Sequence, residues 1–157
     1  MADVDLNAIA IEAMRLQNGY GFTVDARDWT TFRTHFTNDV IARYPHRTYS
    51  GLDDWVGDFE PMHDTYPWSI HAMSNHVVGQ DADGVWAICY GRIRWTMDEA
   101  PGQLNRAEVI FRDRLQNLDG RWLIAHRKLD VLLSHGGPLR EGATFVHTVK
   151  EMADWNN

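Results

Sequence analysis

The hydrophobic pattern of this chain changes its period once along its 157 residues. Apolar positions in residues 4–25 recur at three- and four-residue steps, as on one face of an α-helix. Four later segments alternate apolar and polar residues, which is typical of antiparallel strands: 67–78, 85–97, 105–117 and 121–133. A helical first third followed by a run of strands predicts an α+β domain.

Local signals set the ends of the predicted helices. Asp5 and Asp28 are favoured N-cap residues, and Asp28 precedes a short helical segment from about Trp29 to Phe36. A third short helix is predicted over LDDWVGDFEPMHD and is expected to break at Pro61, because proline removes a helix hydrogen bond. We therefore expect three helices before the long strands.

Turn residues organise the strands. DVIARYP predicts a short strand stopped by Pro45, and Asp119-Gly120 is a strong hairpin signal between the last two alternating segments. Helices would cover one sheet face, and the other would be buried elsewhere, against another subunit. We expect a single domain over residues 1–157, with its core at about 6–133 and a tail at 134–157 whose residues 140–156 are weakly helical.

Composition excludes several classes of partner. The net charge is −7 and no basic run is present, which argues against nucleic acid as a partner. No apolar run approaches the roughly 18 residues that span a bilayer, and the acidic N-terminus is unlike a signal peptide. Cys89 is the only cysteine, so no internal disulfide can form. These features favour a cytoplasmic protein that does not associate with a membrane.

Common catalytic motifs are missing from the chain. There is no P-loop, no nucleophile elbow and no HExxH motif. His71 and His76 are the closest histidine pair, but a spacing of five on a strand directs them to opposite faces, so His76 is expected to be structural. We predict no metal and no cofactor.

Asp25 and His71 are the strongest candidates for chemistry. Asp25 ends the first helix, where the negative end of the helix dipole together with burial would raise its pKa. His71 lies mid-strand and shares a face with Ser69, Met73 and Asn75. A carboxylate bonded to one ring nitrogen would fix the tautomer and leave the other nitrogen as a base. Taken alone, the two positions favour structural roles.

Three longer segments together resemble the SnoaL-like superfamily, which has the cone-shaped fold of the nuclear-transport-factor-two type. They are YGFTVDARDWTTFRTHFTNDVIARY, SIHAMSN and RLQNLDGRWLIAHRKLD. Their order and spacing over roughly residues 6–133 are similar to those of the scytalone dehydratase and hexachlorocyclohexane dehydrochlorinase families. The resemblance implies a curled, mostly antiparallel sheet with N-terminal helices in its concave side, assembled as a homotrimer or homodimer.

The resemblance also implies roles for individual residues. In both enzyme families an aspartate at the end of the first helix pairs with a strand histidine that acts as base, and Asp25 and His71 match those positions. Tyr44 matches a tyrosine that binds and polarises substrate in the dehydratases. Arg127 matches a pocket arginine of the dehydrochlorinases, and a structural ion pair is the equal alternative. Arg127 is expected on an otherwise apolar face, because it alternates with Leu123, Ala125, Leu129 and Val131. Asn75 is a further expected polar point of the pocket.

The chain departs from both families at other pocket positions. Tyr20 replaces the dehydrochlorinase lysine and joins the predicted substrate-binding residues. Gly91 replaces a second histidine of the dehydratases, and Val109 and Phe111 replace their serine and asparagine. These departures imply a more apolar pocket and an activity that differs from both.

The resulting prediction is a cofactor-free lyase or isomerase of dehydratase, dehydrohalogenase, cyclase or double-bond isomerase type. An Asp25–His71 general base would act on a small apolar, ring-containing substrate. The alternatives are a non-catalytic small-molecule binder and the small structural subunit of a ring-hydroxylating dioxygenase, whose end the closing hairpin resembles. An epoxide hydrolase would need a second pocket carboxylate, for which Glu108 and Asp113 are the nearest options.

Overall fold

Over residues 5–153, which the computed structural model describes, the chain forms helices and long strands in the predicted order. The elements are α1 (Leu6–Ala26), α2 (Trp29–Arg33), β1 (Phe36–Arg43), β2 (Thr48–Ser50), α3 (Leu52–Asp64), β3 (Ser69–Asp81), β4 (Gly84–Met97), β5 (Ala100–Leu118), β6 (Arg121–Pro138) and α4 (Val149–Met152). Residue 4 of the predicted first helix and the end of the predicted helical tail lie outside the described residues. None of the described helices is long and apolar enough to cross a membrane.

The six strands form one curled sheet in the order β2-β1-β6-β5-β4-β3. Strand β1 runs parallel to β6, and every other neighbouring pair is antiparallel. Asp119 and Gly120 both have positive φ, 52° and 85°, in the predicted hairpin between β5 and β6. The helices pack in the concave side, so the predicted α+β cone fold is confirmed.

Helix α1 buries most of the apolar stripe that its sequence predicted, and the side chain of Asp5 accepts hydrogen bonds from the backbone N–H groups of Asn7 and Ala8 as its N-cap. Of the predicted stripe, Ile9, Ala13, Leu16, Tyr20 and Val24 are buried, none of them more than 2% exposed. Leu6, at the start of the helix, is 40% exposed, and Ala10 is half-buried, contrary to the prediction. The buried stripe packs against the inward side chains of β4 and β5, such as Cys89 and Phe111. This packing holds the C-terminal end of α1, and with it Asp25, against the sheet.

Two predicted helix boundaries were wrong. Helix α2 ends at Arg33, because Phe36 already starts β1 and joins the core. Helix α3 continues through Pro61 to Asp64 rather than breaking there. Pro61 lies in the last turn, where its missing N–H removes only one backbone bond, and the apolar face of the helix stays buried on both sides of it.

A β-bulge in β3 overturns the predicted placement of two residues. Ser74 pairs with Tyr90 and Val77 with Ile88, so Asn75 and His76 together oppose one residue of β4. Asn75 adopts a φ of 55° and is exposed, away from the concave face that was predicted for it. The bulge also reverses the alternation, so His76 points inward on the same face as His71, contrary to the predicted opposite faces.

Strand β6 contains two bulges, at Ala125 and at Leu132. Arg114 pairs with His126 and Leu115 with Ile124, which leaves Ala125 as the extra residue. Ile124 therefore enters the core with 0% exposure. Arg127 faces the same side, so the uninterrupted alternation expected from Leu123 to Val131 was wrong.

The tail after β6 folds back toward α1. Strand β6 extends to Pro138, beyond the predicted end of the sheet at residue 133. The ring of Phe145 lies 4.8 Å from that of Trp68, centroid to centroid. Thr148 and Glu151 form a capping box that starts the short α4 beside α1.

Acidification is expected to destabilise the fold through His35. Its imidazole is 6% exposed, and neither ring nitrogen has a hydrogen-bond partner of normal geometry among residues 5–153. Burial, and then the positive charges of Arg15 and Arg127, lower the pKa of His35 to about 4. An unfolded histidine titrates near pH 6.5, so the unfolded chain binds more protons between about pH 6.5 and 4. The free energy of unfolding should therefore fall as the pH falls through this window.

The His35→Phe variant should lose this part of the pH dependence, as measured by urea unfolding at pH 7.5 and 5.0. His126, which is exposed, provides the matched control, and His126→Gln should keep the dependence of the unchanged chain. If the free energy of unfolding falls by the same amount from pH 7.5 to 5.0 in the His35→Phe variant and in the unchanged chain, His35 is not a cause of the pH dependence.

Candidate active site

The carboxylate of Asp25 and the ring of His71 are in direct contact, 46 positions apart in sequence. The Asp25 Oδ1 atom lies 2.7 Å from His71 Nδ1 and accepts a hydrogen bond from Ser69 Oγ at 2.8 Å. Oδ2 accepts the backbone N–H of His71 at 2.5 Å. The His71 and Asp25 side chains are 5% and 3% exposed. The end of α1 is thereby fixed to the first residues of β3.

Arg27 holds the same junction from the other side. It adopts a φ of 58° as the C-cap of α1, and its guanidinium donates to the carbonyl oxygens of Val24 at 2.6 Å and Tyr66 at 2.7 Å. It also donates to Ser69 Oγ at 3.0 Å, which in turn donates to Asp25. This chain of bonds orients the carboxylate before any ligand arrives.

A glycine lets α1 approach His71 closely. A Cβ at Gly21 would lie 3.1 Å from His71 Cβ and 3.3 Å from the His71 carbonyl oxygen. Any larger residue there would press the helix away from β3. Gly21 therefore contributes to the Asp25–His71 contact without carrying a functional group.

The pKa of Asp25 is lowered, not raised as the sequence led us to expect. Burial raises the pKa of this carboxyl, but the charge of His71 and the hydrogen bonds from His71 and Ser69 together outweigh it. An ionised carboxylate can only accept, so the proton between Asp25 and His71 belongs to Nδ1. In the neutral ring Nε2 then carries the lone pair, which is the arrangement of a general base.

His71 borders a cavity of about 350 Å³ in the concave side of the sheet. Its lining comprises Tyr20, Tyr44, Pro45, His46, Phe59, Met62, His63, Tyr66, Ser69, His71, Ile93, Trp95, Ala107, Val109, Leu129, Val131 and Ser134. No Lys, Arg, Asp or Glu occurs among these lining residues of the described chain. The cavity has the size of a site for a small organic molecule, with few polar groups on mostly apolar walls.

Tyr20 and Tyr44 place two hydroxyl groups in this cavity. Their oxygens lie 3.1 Å apart, so one hydroxyl donates to the other and one hydroxyl hydrogen remains for a ligand. Burial raises the pKa of both phenols, although Arg127 opposes the rise. Both are therefore protonated donors at neutral pH.

Arg127 does not line the cavity, contrary to the pocket role carried over from the dehydrochlorinases. Its guanidinium forms two hydrogen bonds of 2.7 Å with the Asp113 carboxylate, and both side chains are 0% exposed. It lies behind Tyr20, 4.3 Å from the centre of that ring. This geometry agrees with the alternative role given for Arg127, a structural ion pair.

The ion pair continues into a chain of polar side chains behind the cavity. Gln17 Nε2 donates to Asp113 at 3.0 Å, and Gln17 Oε1 accepts from His76 Nδ1 at 2.7 Å. His76 thus points into the fold, as the bulge requires. Asn75 takes no part in the cavity or in this chain.

His63 is a cavity residue that the sequence analysis did not identify. It ends the buried face of α3, which runs from Leu52 through Trp55, Val56 and Phe59 to His63. A histidine that continues an apolar stripe is the signal that could have found it. Ser69 and Arg27, which orient Asp25, were likewise not assigned as site residues.

Potential ligands for a metal are dispersed. Among residues 5–153, no three His, Cys, Asp or Glu side chains are grouped so that they could bind one ion. The second carboxylate of an epoxide hydrolase is not in the cavity either, since Asp113 lies behind Tyr20 and Glu108 binds Arg92 on the outer face.

Comparison with known proteins assigns the family. The model of the SnoaL-like domain matches residues 10–128, most of the chain. The chain belongs to the SnoaL-like family. Among curated protein sequences, none matches it significantly.

Solved structures share the SnoaL-like fold with this chain. A candidate scytalone dehydratase from Novosphingobium aromaticivorans DSM 12444 has a TM-score of 0.73 and 16% identity, over 88% of this chain and 97% of that one. The hexachlorocyclohexane dehydrochlorinase LinA-type3 from Novosphingobium barchaimii LL02 has a TM-score of 0.75 and 17% identity, over 92% and 99%. A candidate aromatic ring hydroxylase from Novosphingobium aromaticivorans has a TM-score of 0.76 and 14% identity, over 86% and 96%. Such identities establish a common fold and leave the activity open.

Proposed function

We propose that this SnoaL-like protein is a cofactor-free lyase or isomerase that removes a proton from an uncharged, ring-containing small molecule. The observation that carries the proposal is the 2.7 Å contact between Asp25 Oδ1 and His71 Nδ1 in the wall of a cavity without charged lining residues. A carboxylate-held imidazole needs no metal or nucleotide for proton removal.

The chemical step would begin at Nε2 of His71. This atom takes a proton from substrate carbon, and the imidazolium that forms is stabilised by the adjacent Asp25 carboxylate. The electrons of the broken C–H bond form a new double bond as halide leaves, or as the hydroxyl group leaves with the imidazolium proton as water. In a double-bond migration they form an enolate, and the imidazolium returns the proton to another carbon. The free hydroxyl hydrogen of the Tyr20–Tyr44 pair would stabilise negative charge on the departing group or the enolate oxygen.

A screen of three reactions tests the proposal, because each begins with such a proton removal. They are chloride release from hexachlorocyclohexane, loss of water from scytalone, and hydrogen–deuterium exchange beside the carbonyl of 2-tetralone in D2O. The first two compounds are suggested by the similar structures, and the third needs no leaving group. We expect at least one reaction to be faster with the unchanged protein than with its His71→Ala variant. Equal rates in all three would refute the proposed reaction class.

A second candidate is the small subunit of a ring-hydroxylating dioxygenase, favoured by the likeness to the candidate aromatic ring hydroxylase. This function predicts a large iron-bearing partner and no requirement for His71. Copurification of such a subunit from the native source would support it, whereas His71-dependent turnover would exclude it. A homotrimer or homodimer and a cytoplasmic location stay predictions, as does the absence of a cofactor.

A further inference from the structure

His63 is one of three histidines that line the cavity, with His46 and His71, and its tautomer follows from its contacts. Nδ1 lies 2.8 Å from the carbonyl oxygen of Phe59, one turn earlier in α3. A carbonyl can only accept, so Nδ1 carries the proton and donates it. Burial, with smaller contributions from the charges of His71 and Arg27, lowers the pKa of His63 to about 3. The ring is therefore neutral, and its lone pair is on Nε2.

The Nε2 atom of His63 is held in place without a partner. Aromatic rings surround the imidazole, with centroids at 4.8 Å for Phe59, 5.4 Å for Tyr66 and 5.7 Å for Trp29. Within residues 5–153 no side chain or backbone group donates to Nε2. The ring lines the cavity, and it also borders a smaller pocket of about 180 Å³ whose walls include Arg27 and Lys150. A hydroxyl group of a bound ligand would supply the hydrogen bond that the chain does not give to Nε2.

We propose that Nε2 of His63 accepts a hydrogen bond from a hydroxyl group of the substrate, so that the cavity selects uncharged ring compounds bearing a hydroxyl. This inference rests on the proposed function, since it assigns the same cavity to the substrate and adds a recognition residue to the His71 base. His63 binds and orients the substrate, whereas proton removal stays with His71, because a ring with so low a pKa is a weak base.

The lining of the cavity supports the restriction to uncharged compounds. Its 17 lining residues include no Lys or Arg to pair with a carboxylate or phosphate, and no Asp or Glu to pair with an amine. A charged group would lose its hydration there without an opposite charge to replace it. A hydroxyl would instead find neutral acceptors and donors.

Two probes that differ only in one hydroxyl test the inference: 2-naphthol and naphthalene. Equilibrium dialysis gives a Kd for each, and the ratio of the naphthalene Kd to the 2-naphthol Kd measures the hydroxyl preference. We expect a preference of about tenfold for the unchanged protein, the size of one net hydrogen bond. His63→Phe should reduce the ratio to nearly one, because the ring stays but the acceptor is lost. His63→Gln, which retains an acceptor, should recover part of it.

The matched control is His71→Gln, which should keep the hydroxyl preference while turnover is lost. The preference should also stay constant from pH 8 to 5.5, since His63 remains neutral throughout. A ratio that is unchanged in His63→Phe, or that falls in His71→Gln instead, would overturn the inference, and so would the absence of binding by both probes. Thermal melting checks that each variant is folded, and His63→Leu replaces His63→Phe if the latter does not fold.

Failure of this inference is distinguishable from failure of the proposed function. Binding ratios do not depend on turnover, and the three-reaction screen does not depend on His63. If the hydroxyl preference depends on His63 but no reaction is catalysed, the inference about His63 stands and the proposed enzymatic function fails. If the protein catalyses a reaction but shows no hydroxyl preference, the proposed function stands and the inference about His63 fails.

Discussion

The Asp25→Asn variant is expected to lose activity by about a hundred- to ten-thousandfold in kcat while remaining folded. The carboxylate accepts three hydrogen bonds, from Ser69 Oγ, His71 Nδ1 and the His71 backbone N–H. An amide offers one acceptor and one donor, so either orientation places its NH2 group against a group that now donates. If it faces the ring, the proton of His71 moves to Nε2 and the base is lost.

His71→Ala should cause a loss of similar size, because it removes the base itself. Turnover is measured on whichever compound the screen identifies, with urea unfolding as the check on the fold. Ser69→Ala is the graded control, since it removes one bond to Asp25 but leaves the tautomer of His71 fixed, and a smaller loss is expected. Near-native kcat in Asp25→Asn or His71→Ala would exclude the dyad mechanism.

The fold and the Asp25–His71 pair were accessible from sequence for different reasons. The change of hydrophobic period, together with capping and turn residues, predicted the helices, the long strands and their order. The resemblance to the family predicted the curled sheet. The contact between residue 25 and residue 71 could not follow from periodicity, because it depends on how α1 crosses the sheet. It followed from the resemblance to the family, and the structure supplies the physical cause in Gly21 and the bonds to Asp25.

The bulges at Asn75–His76 in β3 and at Ala125 in β6 explain why the predicted positions of Asn75, His76 and Arg127 were wrong. Alternation assigns faces only while each residue has one partner across the sheet, and one extra residue reverses every later assignment. The β3 bulge contains no glycine, and the tolerance of Asn75 for positive φ was the only local sign of it. Asn75 therefore left the predicted pocket face, while His76 entered the fold.

The bulge at Ala125 is the reason why the Asp113–Arg127 pair could not be predicted from the sequence. The turn at Asp119-Gly120 pairs Leu118 with Arg121, and regular pairing from there would place Asp113 opposite His126. The extra residue Ala125 shifts the register, so Asp113 instead faces Arg127. The sequence indicated a charged residue, Arg127, on an apolar face, but it did not indicate that Asp113 is its partner.

Breaking this buried pair should have the largest effect on stability of any change considered. Both side chains are 0% exposed, and Asp113 holds Arg127 through two bonds of 2.7 Å. Burial lowers the pKa of Arg127, but Asp113 raises it by more, so the guanidinium stays charged. Asp113→Leu or Arg127→Met leaves the other charge buried without its partner, a loss of about 3–5 kcal/mol in the free energy of unfolding.

The double variant Asp113→Leu with Arg127→Met should recover most of that loss, because no charge is then left in the core and the volumes are similar. Urea unfolding of the two single variants and the double variant measures the coupling between the positions. The matched control is Arg112→Met, whose ion pair with Asp130 is 45% and 34% exposed and should contribute at most about 1 kcal/mol. A double variant no more stable than the weaker single one would mean that Gln17 and Tyr20, rather than the missing charge partner, determine the effect, since both contact the pair.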